Sequence, residues 1–219
     1  MTPSPTRNAA ARLWTSLLAA ASAAALLAYA LLAHRFTVGD DRSLISYLFA
    51  AGSLGAMAVA AGWATRWRWP LLAATLLALA AGGALQAQQA LDPKWIYLAQ
   101  HAGINALLGL MFGRSLLPGR EPLVTRLALL VQGELPAGMP GYTRSVTWAW
   151  TLFFAAMTLA SLGLFLFGPM AWWSVLANFL TLPAVALMFA AEYAIRLQRF
   201  PDYTHASLLD GVRAFNRKR

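Results

Sequence analysis

The sequence contains no cysteine. Disulfides, thiolate metal sites, iron–sulfur clusters and cysteine nucleophiles are excluded together. The chain is also poor in charge. Asp, Glu, Lys and Arg make up 11% of its 219 residues, against roughly 25% in an average soluble domain. That is too little to cover the surface of a soluble fold. Acids are the scarcer sign: eight stand against 17 Lys and Arg, a formal net charge of +9. No glycine-rich phosphate loop, HExxH, GxSxG or paired-carboxylate motif occurs. What abounds is apolar. Hydrophobic residues account for 59% of the chain, which excludes a disordered polymer. The composition is that of a polytopic membrane protein, a single integral domain over residues 1–219.

Six apolar stretches are long enough to cross a bilayer as helices, which takes about 20 residues each. They cover roughly 13–33, 44–64, 69–87, 95–113, 146–168 and 171–191. Lipid offers no partner to backbone polar groups, so the spans are helical. A β-barrel would show alternating segments of about 10 residues, and Ala- and Leu-rich runs do not alternate. The fold class expected is therefore all-α: a bundle of six transmembrane helices with short interfacial helices. The first stretch follows Arg7 and Arg12 and resembles a signal peptide in outline. Its apolar run exceeds the 7–15 residues of a signal core, so it reads as a retained anchor.

The charges set orientation. Of the 17 basic residues, only Arg35, Arg42 and Lys94 fall on one side of the six spans; the other fourteen share the opposite side with five acids. The positive-inside rule makes that side cytoplasmic and places both termini there. It carries the whole net charge, so the basic character is a topology signal and no nucleic-acid partner is expected. The nine tryptophans all lie near span ends, where an aromatic belt would place them.

Between the spans, the longest connection is the cytoplasmic loop at 114–145, broken by Pro118, Pro122, Pro136 and Pro140. Within it, 123–132 has Leu123, Leu127, Leu130 and Val131 at helical spacing, with Arg126 off that stripe; it reads as a helix on the membrane surface. The basic tail at 196–219 repeats the pattern. Ser207 and Asp210 provide a cap, and Leu208, Leu209, Val212 and Phe215 form one face. Gly168-Pro169 between spans five and six predicts a tight hairpin. Small residues four apart, Gly52, Ala56 and Ala60, and Ala74, Ala78 and Gly82, predict close helix packing or a homodimer face.

Polar residues inside the spans are the candidate sites. Tyr97, His101 and Asn105 share one face of span four, and a turn near Asp92 brings Gln86 of span three to similar depth. Histidine in a membrane can relay protons, hold a metal or recognise a ligand. With amides and no carboxylate beside it, this one reads first as structurally satisfied; no metal and no cofactor are expected. Equal depth across the last hairpin pairs Ser161 with Asn178 and Thr158 with Thr181. Pro183 removes the bond to the Phe179 carbonyl and predicts a kink. Glu192 and Arg196 form an i,i+4 pair at the cytoplasmic end of span six, structural or an entrance site.

The segment 114–215 resembles a bacterial family of multi-pass inner-membrane proteins. The residues that carry the likeness are Gly119-Arg120-Glu121-Pro122-Leu123, Tyr142-Thr143-Arg144, Trp148-Ala149-Trp150 with Phe153-Phe154, Asn178, Leu182-Pro183, Glu192-Tyr193, Arg199-Phe200-Pro201 and His205-Ala206-Ser207. The resemblance implies an association with aryl-polyene or xanthomonadin-type pigment synthesis, a pathway without an assigned reaction. Three functions follow as expectations. The first is a non-catalytic component that docks an acyl carrier protein or acyltransferase through Arg114, Arg120, Arg126 and Arg144. The second is a transporter or flippase built around His101 and Asn105. The third is an acyl- or lipid-modifying enzyme using Glu192, His205 or the arginines.

Overall fold

The computed structural model describes residues 5–39, 42–63, 65, 68–88 and 90–201. All regular structure among them is helical. Five helical segments are long and apolar enough to cross a membrane: Trp14–Val38, Arg68–Ala87, Lys94–Ser115, Met139–Phe167 and Met170–Arg199. The second apolar stretch forms α2, Leu44–Gly62, whose apolar part Leu44–Ala60 is shorter than those five. The protein is thus a helical integral membrane protein. The expected second interfacial helix around Ser207 lies outside the described residues, as does His205.

The chain forms two compact units, Met1–Lys94 and Trp95–Arg219. In the first, α1 (Pro5–Val38), α2 and α3 (Arg68–Ala87) follow in order. Ser43 caps α2, its side chain accepting from the Ser46 amide at 3.2 Å. α2 and α3 pack as a hairpin, and glycine allows their approach. A Cβ at Gly82 would overlap the Tyr47 hydroxyl, which donates to the Leu79 carbonyl at 3.0 Å. A Cβ at Gly62 would overlap Leu71. The expected approach therefore holds at Gly82 of α3 and is displaced on α2: Gly52 has open space beside it, Ala56 and Ala60 are exposed, and a Cβ at Gly55 would overlap Thr75. Spacing of small residues had pointed to one face of α2; the bulky partners Tyr47 and Leu71 select another. Tyr29 joins α1 to this hairpin by stacking on Phe49, with centroids 5.0 Å apart, and by a 3.3 Å bond to Ser53.

The second unit is built on α6, Met139–Phe167. This helix begins seven residues before the expected span. Pro140 occupies its first turn, where a missing amide costs nothing, so the proline starts the helix rather than breaking the chain. Met139, Tyr142, Val146, Trp150 and Phe154 recur every three or four residues and make its buried face. Leu108 and Phe112 of α4 (Lys94–Ser115), Val124 of α5 (Leu123–Gln132), and Val185 and Met188 of the last helix close over it. Trp150 and Trp173 are 5% and 1% exposed. These two tryptophans belong to the core, contrary to the belt reading, because each meets aromatic partners at 4.8–6.1 Å. Trp14, Trp63, Trp69, Trp95, Trp148 and Trp172 are exposed, as interfacial residues would be.

α5 falls on the expected residues, 123–132. Its first turn is fastened to α4 and α6. Ser115 Oγ accepts from the Leu123 amide, Thr147 Oγ1 from the Val124 amide, and Thr125 pairs with Thr143 at 2.7 Å. Leu127 and Leu130 stay exposed beside Arg126. The apolar stripe is thus divided, Leu123 facing protein and Leu127 and Leu130 facing outward.

After the Gly168-Pro169 turn the last helix runs in three parts. α7 is Met170–Val175, a π-turn covers Leu176–Leu180, and α8 is Thr181–Arg199. The expected disturbance near Pro183 takes this form. Proline cannot donate to the carbonyl four residues back, and its ring crowds that carbonyl. A π-turn upstream absorbs the misfit with one extra residue.

Candidate functional site

The polar centre of the second unit is His101. α4 presents it between Tyr97 and Asn105, and Ser161 of α6, Trp173 of α7 and Thr181 of α8 surround it. Its Nδ1 lies 2.9 Å from Ser161 Oγ and its Nε2 lies 2.9 Å from Thr181 Oγ1. Trp173 donates its indole N–H to Ser161 at 3.0 Å and meets the imidazole edge-on at 6.3 Å. Thr181 in turn donates to the Leu176 carbonyl at 2.8 Å.

These partners determine the tautomer by counting protons. The Thr181 hydroxyl spends its proton on Leu176, so toward His101 it can only accept. Nε2 therefore carries a hydrogen. Ser161 accepts from the Trp173 indole, which leaves its own proton for Nδ1. In a neutral imidazole the hydrogen is therefore at Nε2, and the bonds run one way: Trp173 to Ser161 to His101 to Thr181 to Leu176. This assignment comes from the hydrogen-bond network. Every donor in it has an acceptor, which is what a buried polar cluster needs to avoid the cost of an orphaned group.

The expected pairs of the last hairpin are replaced. Ser161 and Thr181, read as partners of Asn178 and Thr158, both bond His101 instead. Asn178 folds back on Ser174, donating to its carbonyl and hydroxyl at 3.0 Å each. Thr158 donates to the Phe154 carbonyl of its own helix. The reason is the π-turn. One inserted residue rotates every later position by about 100° relative to a regular helix, and a register counted at 3.6 residues per turn fails beyond Leu176.

Two other residues of the candidate cluster share α4 with His101, and the third lies in the first unit. Asn105 is buried, and its amide donates to the His101 carbonyl at 2.8 Å. Tyr97 is buried on the same helix. Gln86 belongs to the first unit, where it is 1% exposed and its amide donates to the Arg42 carbonyl. Arg42 and Lys94 both pair with Asp92, at 3.2 and 3.0 Å. The residues that sequence reasoning missed are Trp173 and the grouping of Ser161 with Thr181 around one ring. Trp173 stands next to the exposed Trp172, and nothing in the pair distinguishes the buried member. Among the described residues no three His, Asp or Glu side chains gather as a metal site would require.

At the opposite end of α6, Glu192 and Arg196 pair at 3.5 Å, an ion pair looser than a hydrogen bond. Tyr142 donates to the Glu192 carbonyl at 3.0 Å and lies 3.1 Å from its carboxylate. Arg199 stands over the Tyr142 ring at 6.0 Å. These groups edge a cavity of about 300 Å³ between α6 and α8, with Val146, Ala149 and Met188 in its wall.

The four arginines singled out in the sequence, Arg114, Arg120, Arg126 and Arg144, are all exposed. None is held in an ion pair among the described residues. Arg144 is positioned by one bond to the Leu116 carbonyl, 3.1 Å. The acids of the same segment, Glu121 and Glu134, are exposed as well. No protein-family model, curated protein or solved structure matches the chain.

Proposed function

We propose that this protein is an accessory membrane component that docks an acidic soluble partner on a basic cytoplasmic face. The partner chemistry that fits is an acyl carrier protein, or an acyltransferase acting with one, in lipid or aryl-polyene synthesis at a bacterial inner membrane. In this reading α2 crosses the membrane with the five longer spans, both termini are cytoplasmic, and a homodimer is the oligomer of choice. The observation that carries the proposal is the exposure of Arg114, Arg120, Arg126 and Arg144, four cations between the last turn of α4 and the first turns of α6, none held by a carboxylate among the described residues. Opposite charge steers association and sets partner choice.

The test is binding of acyl carrier protein to the purified membrane protein in a lipid disc. Replacing all four arginines by Ala is expected to weaken binding at least about tenfold, the loss of roughly one charge-assisted contact or more. Raising salt to about 0.5 M is expected to weaken wild-type binding by screening. Binding indifferent to both would reject the docking role.

A second reading, export or flipping of a hydrophobic product, draws on the π-turn beside His101, since such turns recur at functional positions. Export unchanged in cells carrying His101→Ala and Asn105→Ala would remove it.

A further inference from the structure

A groove of about 600 Å³ runs between α4 and α6 in the second unit. Ala106, Gly109 and Gly113 form one wall, and Thr151, Ala155 and Thr158 the other. Both threonine hydroxyls are spent on their own helix, Thr151 on the Thr147 carbonyl and Thr158 on the Phe154 carbonyl, each at 2.8 Å. The walls are therefore apolar in effect as well as in composition.

Charge stands at one end only. Arg114 lines the mouth, and Arg144 is anchored to Leu116, next to the groove residue Leu117. Neither is in an ion pair among the described residues. From Ala106 to Arg114 the groove follows α4 for about 12 Å at 1.5 Å per residue. One leaflet of hydrocarbon is about 15 Å deep, half of the roughly 30 Å core. The groove thus runs most of the depth of one leaflet and meets its cations at the headgroup level. The smaller cavity at Tyr142 differs at this point, because its mouth carries the Glu192 carboxylate beside Arg199.

We infer that the α4–α6 groove holds one anionic phospholipid of the surrounding membrane, an acyl chain lying along Ala106–Thr158 walls and the phosphate meeting Arg114. An acyl chain supplies the apolar filling that the groove lacks. A phosphate supplies the anion that Arg114 lacks, in the bidentate geometry that guanidinium favours. The inference shares Arg114 with the docking proposal but needs neither a soluble partner nor Arg120 and Arg126, so lipid retention and partner binding are read separately.

Native mass spectrometry of the full chain, titrated with phosphatidylglycerol or phosphatidylcholine, tests it. Wild type is expected to retain one phosphatidylglycerol about tenfold more strongly than phosphatidylcholine, the size of one charge-assisted contact. Arg114→Gln is expected to bring the ratio close to one, while Arg120→Gln leaves it unchanged. Ala155→Leu places a larger apolar side chain at an exposed position of the wall and is expected to reduce retention of both lipids. Equal retention of the two lipids by wild type overturns the inference. So does a ratio that Arg114→Gln does not change, or lipid retention that Ala155→Leu does not reduce. A lipid-free dimer that Ala155→Leu splits would assign the groove to a second copy and overturn it equally.

Discussion

At the residue scale, His101 shows how a polar side chain is kept inside a membrane protein. Each ring nitrogen has one hydroxyl, and each hydroxyl has one further partner. The chain of bonds places the hydrogen of a neutral ring at Nε2. Nitrogen-15 NMR of the labelled protein should therefore show Nδ1 unprotonated and Nε2 protonated; the reverse tautomer would contradict the assigned direction. The members also differ in what their removal leaves behind. Ser161→Ala strips the Trp173 indole and His101 Nδ1 at once, a cost of about 1–3 kcal/mol for orphaned buried groups. His101→Leu removes its own needs along with the ring, and Ser161 and Thr181 keep Trp173 and Leu176. Interhelical hydrogen bonds in membranes average about 0.6 kcal/mol, so unfolding in detergent should rank Ser161→Ala as the more damaging. An equal or opposite ranking would show that the ring's packing outweighs its bonds.

At the element scale, two contacts depend on backbone geometry rather than residue type. The first is the approach of α2 to α3, where Tyr47 occupies the space a Cβ would need at Gly82. Gly82→Ala should destabilise by about 1–3 kcal/mol, the range for overpacking. In a Tyr47→Phe background the penalty should shrink, because the hydroxyl is the atom met most closely. A double-mutant cycle by thermal unfolding measures the difference; strict additivity would mean the two residues do not meet. The second is the π-turn, which turns Thr181 toward His101. The sequence marks its neighbourhood through Pro183, but proline allows a kink, a wide turn or a simple break. Which of them forms depends on what the rotated side chains find. Here they find a histidine on another helix, 80 positions earlier in the chain.

At the scale of the whole molecule, labelling at single positions reports the number of crossings and the side that carries the basic face. The native sequence has no cysteine, so single cysteines report position without a background to remove. Ala90 and Ala137 are both exposed, in the α3–α4 and α5–α6 connections. An impermeant thiol reagent on intact cells should label Ala90→Cys and spare Ala137→Cys, with both labelled after disruption. Ser4→Cys should behave like Ala137→Cys, since four crossings separate them. Were α2 to stay on one surface, only three would, and the two would fall on opposite sides. Labelling of Ala137→Cys from outside would invert the basic face and remove the ground of the docking proposal.

Composition and run length by themselves determined that this chain is an all-helical membrane protein, because hydrocarbon leaves the backbone no other way to satisfy its polar groups. They also placed α5 to the residue and the hairpin at Gly168-Pro169, since both depend on local spacing and local breakers. The tertiary structure decided what distance along the chain conceals. It took Trp150 and Trp173 from the interface into the core, moved the close contacts of α2 onto Gly55 and Gly62, and gathered Ser161, Trp173 and Thr181 around His101. Each of these turns on which face of a helix meets its neighbour. In an apolar helix with little contrast around its circumference, periodicity has nothing to mark that face. Packing and buried hydrogen bonds choose it once the helices come together.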